Sequence, residues 1–142
     1  MATYILTWHP HGFPIDVGRY IELSRDIANR GELRHGHWST GNRTTEIEKG
    51  DRVFLFRQKR ERGIVASGYC RSDVYQADHW DGSDRLANYV RIEWDEWRMP
   101  DDRITVETLE DRVPQFKWNS LQGSGIHIED GDAAKVEKLW GA

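Results

Sequence analysis

The sequence predicts an α+β fold, a curved, barrel-like sheet of about five or six short strands flanked by helices. Three observations carry this expectation. Apolar runs of strand length recur between turn residues, one stretch alternates cleanly between apolar and polar, and helical spacing of apolar residues is confined to segments outside those strands. Strands interspersed with only a few helices specify a sheet that must curl to cover its own face.

Taken in order, "TYILTW" (Thr3–Trp8) reads as a buried first strand ended by the turn-rich "HPHGFP". A helix is expected from Asp16. Val17, Tyr20, Ile21, Ser24, Ile27 and Ala28 share one face, and Gly31 suits its C-terminal end. The segment "HGHWSTGNR" (His35–Arg43) shows neither period, so a loop is expected from there to about Lys49. "GDRVFLFRQ" and "GIVASGYC" then form a hairpin about "KRERG". In "NYVRIEW", Val90, Ile92 and Trp94 share one face, and Tyr89, Arg91 and Glu93 the other. "TVETLED" suits a short helix, and "WNSLQGSGIHIED" a loop leading to a short strand. "GDAAKVEKLW" suits a closing helix with Asp132 as its cap.

At 142 residues and 16.6 kDa, the chain (1–142) is expected to be a single domain and a monomer. A single cysteine, Cys70, excludes an internal disulfide framework and favours a reducing compartment. The N-terminus lacks a charged leader, and no apolar run approaches the roughly 20 residues of a spanning helix. A soluble, cytoplasmic protein without membrane contact is expected. The net charge of −4 is unevenly divided: residues 1–72 are net +4 and residues 73–142 net −8. A polyanion could meet a basic surface there, while the acidic remainder limits indiscriminate affinity.

Catalytic patterns are weak. The pairs His9/His11 and His35/His37 could place two imidazoles side by side, but zinc needs three or four ligands and Cys70 lies far off in sequence. "GSG" (Gly123–Gly125) lacks the context of a phosphate loop and reads as a turn. No nucleophile elbow is present. No enzymatic activity, metal or cofactor is expected of this chain.

The seven tryptophans are the strongest compositional signal. Trp94 and Trp140 fall on apolar faces. Trp38, Trp80 and Trp118 stand in polar surroundings, where an aromatic can wall a cage for a flat ring.

The ordered set "YILTW…HWST…DRVFLFRQ…RGIVASGY…HWD…YVRIEW…W…SGIHI" resembles the EVE-like branch of the PUA superfamily. It is similar in particular to the modified-cytosine-reading domains that precede HNH nuclease modules in modification-dependent restriction enzymes. The same order also resembles the YTH domains, which read N6-methyladenine in RNA. The likeness spans nearly the whole chain and lies in the order of the motifs, each of which is short.

The resemblance implies a PUA/EVE-like mixed sheet and a pocket for a base turned out of its helix. Trp38 would form one wall and Trp80 the second, with Trp118 a further candidate. Ser39 and Thr40 would meet the ring edge, as would the turn from His9 to His11. This chain departs from the family there, since "HPHGFP" replaces a more usual Asn-Pro followed by Trp. Arg57, Lys59, Arg60 and Arg62, with Arg43, would hold the nucleic-acid backbone. The expected partner is DNA carrying 5-methyl- or 5-hydroxymethylcytosine, with any cleavage supplied by a nuclease domain or partner protein. The alternatives are a modified-base reader of RNA, a nucleotide-processing enzyme using the histidines, and a small-ligand regulatory domain.

Overall fold

A computed structural model of the chain describes residues 1–11, 15, 22, 34–121 and 123–142. The helix expected from Asp16 to Gly31 lies outside the described residues. Among those described, eight strands form one curved mixed sheet: β1 (Thr3–Trp8), β2 (Arg34–Gly41), β3 (Arg52–Arg57), β4 (Gly63–Cys70), β5 (Tyr75–Asp78), β6 (Leu86–Trp97), β7 (Ile104–Thr105) and β8 (Ile126–Ile128). Two helices, α1 (Val106–Arg112) and α2 (Asp130–Trp140), follow late in the chain.

The sheet runs β2-β6-β4-β3-β1-β8, with β5 beside β6 and β7 beside β4. β1 and β3 are parallel, with Tyr4 opposite Val53 and Leu6 opposite Leu55; the other pairings are antiparallel. The central strands read as continuous apolar runs because both their faces are covered. Leu6, Trp8, Val53, Leu55 and Val65 point into one cluster with Val90, Ile92, Trp94 and Trp97. Their neighbours Ile5, Phe54, Phe56 and Ile64 point into the other, against Leu109 of α1 and Val136 and Trp140 of α2. Each fully buried side chain of this size contributes about 1.5–3 kcal/mol over its exposed state.

Several expectations need correction. The segment from His35 to Gly41 is not loop but most of β2, an edge strand laid antiparallel on β6 with Trp38 opposite Val90. Its polar sequence hides it: His37 is exposed, Trp38 and Ser39 are half-buried, and a bulge between Ser39 and Gly41 breaks its alternation. β5 and β7 were also illegible, being short and half-exposed or only two residues long. The cap of α2 is Glu129, and Asp132 lies within the first turn, where its charge favours the helix N-terminus. In α1, Thr105 Oγ1 accepts the cap bond from Thr108 N at 3.2 Å.

A buried arginine fastens α2 to the sheet. Arg52 donates through Nε to Glu137 and through Nη1 to Asp95, both at 2.8 Å. Ser67 donates to Asp95 and accepts from Trp140 Nε1 at 2.8 Å, so the buried hydroxyl is used twice. Arg98 lies over the Trp140 ring at 3.7 Å and donates to its carbonyl.

Candidate functional site

The path of the sheet ends at β2 on one side and at β8 on the other, and a cavity of about 240 Å³ occupies the region where β1 and β2 come together. β8 pairs with β1 only as far as Ile5. Beyond it, Thr7 is held by the Gly123–Ser124 backbone and side chain: Thr7 N donates to Ser124 Oγ at 2.9 Å, and Thr7 Oγ1 to Gly123 O at 2.7 Å. On the other side, Trp38 Nε1 of β2 donates to Thr7 O at 2.9 Å. One residue of β1 thus joins both margins of the cavity.

Two glycines permit the close approach at its base. Gly41 (φ +64°) and Gly125 (φ +76°) occupy the left-handed region. A Cβ at Gly41 would stand 2.9 Å from Ser124 N, and one at Gly125 would stand 2.8 Å from Thr40 O. The end of β2 therefore lies backbone to backbone against residues 123–125.

The walls are aromatic. Trp38 packs edge-on to Trp8 (6.5 Å) and Trp94 (6.3 Å), which with its Nε1 bond fixes its ring. Trp80 is 46% exposed; it stacks on His79 at 3.8 Å and meets Tyr89 edge-on at 6.4 Å. Tyr89 is buried, donates its hydroxyl to Asp78 O at 2.8 Å, and has its phenol pushed up by burial. His37 meets the Tyr89 ring edge-on at 5.0 Å.

The loop carrying Trp80 is tied by its own side chains. Asp81 accepts from Ser83 N at 2.9 Å and from Arg85 Nη2, and His79 N donates to Arg85 O at 3.0 Å. Hydrogen bonds from Ser83, and then from Arg85, hold the Asp81 carboxyl well below the usual carboxylate range.

Polar groups converge between these rings. Ser39 Oγ accepts from Gly41 N at 3.0 Å, which leaves its proton for a ligand. Ser124, whose Oγ accepts from Thr7 N, is in the same position. Gln58 Nε2 donates to Leu121 O at 3.2 Å, leaving Oε1 as an acceptor at the rim. The cavity thus offers stacking faces and a few donors and acceptors, the composition of a site for one planar heterocycle.

Of the residues singled out in the sequence, the structure brings His9, Trp38, Ser39 and Trp80 to this cavity. Three others are elsewhere. Trp118 is a core residue, 2% exposed, stacked on Phe56 at 5.7 Å with Nε1 bonded to Val113 O. Thr40 is fully buried and donates to Arg43 O at 2.7 Å. His11 is exposed outside the lining, its ring 5.8 Å from that of His9.

The basic residues divide in the same way. Arg57 is buried, with its guanidinium over the Trp8 ring at 5.1 Å and paired with Glu61 at 3.4 Å. Arg62 donates to Asn119 Oδ1 at 2.9 Å, and Arg43 donates to Gly125 O and Glu46. These three are tied internally. Lys59 and Arg60 stand exposed at the hairpin tip, adjoining Gln58 of the rim.

Sequence reasoning missed Tyr89, His37, Gln58 and Ser124. Tyr89 was legible as the face of β6 opposite Val90, and "GSG" as a turn, but neither has a local signal that points to a cavity. Among the described residues, no three His, Cys, Asp or Glu side chains group as metal ligands, and no helix is long and apolar enough to cross a membrane.

No family model and no curated protein matches the sequence. Solved structures do. The NMR structure of Rpa0253 from Rhodopseudomonas palustris is 17% identical, with TM-score 0.61, covering 99% of this chain and 94% of that one. The crystal structure of ASCH from Zymomonas mobilis is 10% identical, with TM-score 0.55 and coverage of 97% and 95%. A complex of the YTH domain-containing protein mmi1 with RNA is 13% identical, with TM-score 0.55 and coverage of 97% and 81%. At such identities the likeness speaks for fold, and the chain has the curved α+β, PUA-like fold seen in these ASCH and YTH domains.

Proposed function

We propose that this chain is a binding module that accepts one modified nucleobase, turned out of a nucleic-acid strand, into the cavity lined by Trp38 and Trp80. The observation that carries the reading is the cavity itself: aromatic walls fixed by their own contacts, with the free protons of Ser39 and Ser124 and the Gln58 acceptor at its edge. Turning a base out costs a few kcal/mol, and stacking recovers about 1–3 kcal/mol per base. Ring-edge hydrogen bonds then discriminate, because a wrong base leaves them unpaired.

The favoured target is cytosine carrying a 5-methyl or 5-hydroxymethyl group in DNA, in keeping with the likeness of the sequence to EVE-like domains. The role is recognition rather than catalysis. In modification-dependent restriction, cleavage would fall to a nuclease domain or partner protein. A modified base in RNA is the second reading, favoured by the similar YTH domain-containing protein whose structure includes RNA. With three of the five expected arginines and lysines tied internally, the cavity supplies most of the affinity and phosphate attraction the smaller share.

The test is a binding screen over short DNA and RNA duplexes and single strands, each with or without one modified base. The expected result is tighter binding to the duplex with one modified cytosine than to its unmodified counterpart. Equal affinity across all modifications, in both DNA and RNA, would overturn the reading.

A further inference from the structure

A second recess adjoins the cavity. It holds about 390 Å³ and is lined by residues 42–46 and 123–126. Gly123 and Ser124 border both, so the two spaces share part of their wall. The recess is polar where the cavity is aromatic. Asn42, Thr44 and Thr45 are exposed, and their side chains make no hydrogen bond within the described residues. Among the described residues other than its chain neighbours, no atom lies within 4 Å of the position a Cβ on Gly123 would take, so a strand can pass close over the backbone between the two spaces.

Arg43 lies in this recess with its charge already committed. Nε donates to Gly125 O, the guanidinium lies 5.1 Å from the Tyr4 ring centre, and Nη1 donates to Glu46. The arginine is therefore held by three contacts, while its anionic partner is open to solvent: the Glu46 side chain is 69% exposed. An exposed pair of this kind is worth little, whereas arginine bonds a phosphate with two aligned donors.

Resting on the base-reading proposed above, we infer that the strand carrying the turned-out base continues over Gly123 into this recess. A phosphodiester next to that base takes the place of Glu46 on Arg43, with Asn42, Thr44 and Thr45 as neutral donors. Glu46 holds the position until nucleic acid arrives. The recess thus recognises the strand and the cavity recognises the base.

The experiment measures Kd for a short DNA strand with one 5-methylcytosine, and separately for the free nucleoside 5-methyl-2′-deoxycytidine. The proteins compared are the wild-type chain, Glu46→Gln and Thr45→Glu, each first checked by its melting temperature. Removing the competing carboxylate should tighten strand binding about two- to fivefold, and adding one in the recess should weaken it by a similar factor. Nucleoside affinity should stay the same in all three proteins. Strand affinity unchanged in both variants, with the wild type binding strand and nucleoside, would overturn the recess while leaving the base-reading intact. A wild-type protein that binds neither modified strand nor nucleoside would overturn both. RNA strands carried through the same comparison show whether the recess distinguishes the two sugars.

Discussion

Replacing Trp80 by alanine should weaken binding of a modified-base strand about 5- to 150-fold while leaving the fold nearly as stable. The binding figure follows from the roughly 1–3 kcal/mol lost when a base loses a stacking partner, at 1.4 kcal/mol per factor of ten. The stability figure follows from what Trp80 touches. It belongs to neither apolar cluster, is 46% exposed, and packs on His79 and the edge of Tyr89. Aromatic contacts of this kind contribute about 0.5–1.5 kcal/mol each beyond area, so the melting temperature should fall by only a few degrees, at roughly 2–4 °C per kcal/mol. Trp38 makes the instructive contrast. Its truncation also removes the Nε1 bond to Thr7 and the packing on Trp8 and Trp94, so stability should drop toward the lower part of the roughly 3–5 kcal/mol range for a core tryptophan. Fluorescence anisotropy with a labelled strand bearing one 5-methylcytosine, together with thermal melts, reads both quantities. Trp80→Ala binding within twofold of wild type, where wild type binds, would refute the assignment of Trp80 as a wall.

Further outcomes follow from the same geometry. Changing Lys59 and Arg60 together to glutamine should flatten the slope of log K against log salt by about 1.8 on duplex DNA, at roughly 0.9 per phosphate contact. Arg62→Gln should leave that slope unchanged, because its guanidinium is bonded to Asn119. Gly41→Ala should destabilise the chain by about 1–3 kcal/mol in chemical denaturation, since alanine strains a φ of +64° and its Cβ would press on the Ser124 backbone. Arg52→Met should cost about 2–3 kcal/mol in the same assay, below the roughly 3–5 of a fully buried pair because Asp95 and Glu137 keep contact with water. Burial pushes the Cys70 thiol up to about 12 from 9.0, so it should resist iodoacetamide at pH 8 and react once the chain unfolds. The sign of the linked stability is fixed. Below pH 9 both states hold the proton; from there to about 12 only the unfolded chain releases it, so stability should fall as pH rises through that window.

Local pattern was a good guide wherever a segment buries a face against its neighbours. Thr3–Trp8, the hairpin of β3 and β4, the alternation from Tyr89 to Trp94 and both late helices were legible, because their apolar spacing is dictated by the faces they cover. Pattern was a poor guide at β2. Its residues satisfy a ladder on β6 without building an apolar face, so the sequence from His35 to Arg43 resembles a loop. Pattern also failed for Trp118, whose polar flanks say nothing of Phe56, a partner about sixty residues earlier.

By itself the sequence determined the α+β class, most of the strands, the excess of tryptophan beyond what a core needs, and the two rings, Trp38 and Trp80, that meet one cavity. The class, the strands and the tryptophan count are properties of composition and period, which each segment carries alone; the pairing of Trp38 with Trp80 came from the resemblance to EVE-like and YTH domains. The tertiary structure decided which polar groups join those rings, and which charges stay available. Tyr89, Gln58 and Ser124 reach the cavity from three separate segments, and Arg43, Arg57 and Arg62 are claimed by carbonyls, carboxylates and aromatic faces brought to them by folding. The physical reason is range. Hydrophobic spacing acts within a turn or a strand, whereas a hydrogen bond or an ion pair depends on what the fold sets opposite it.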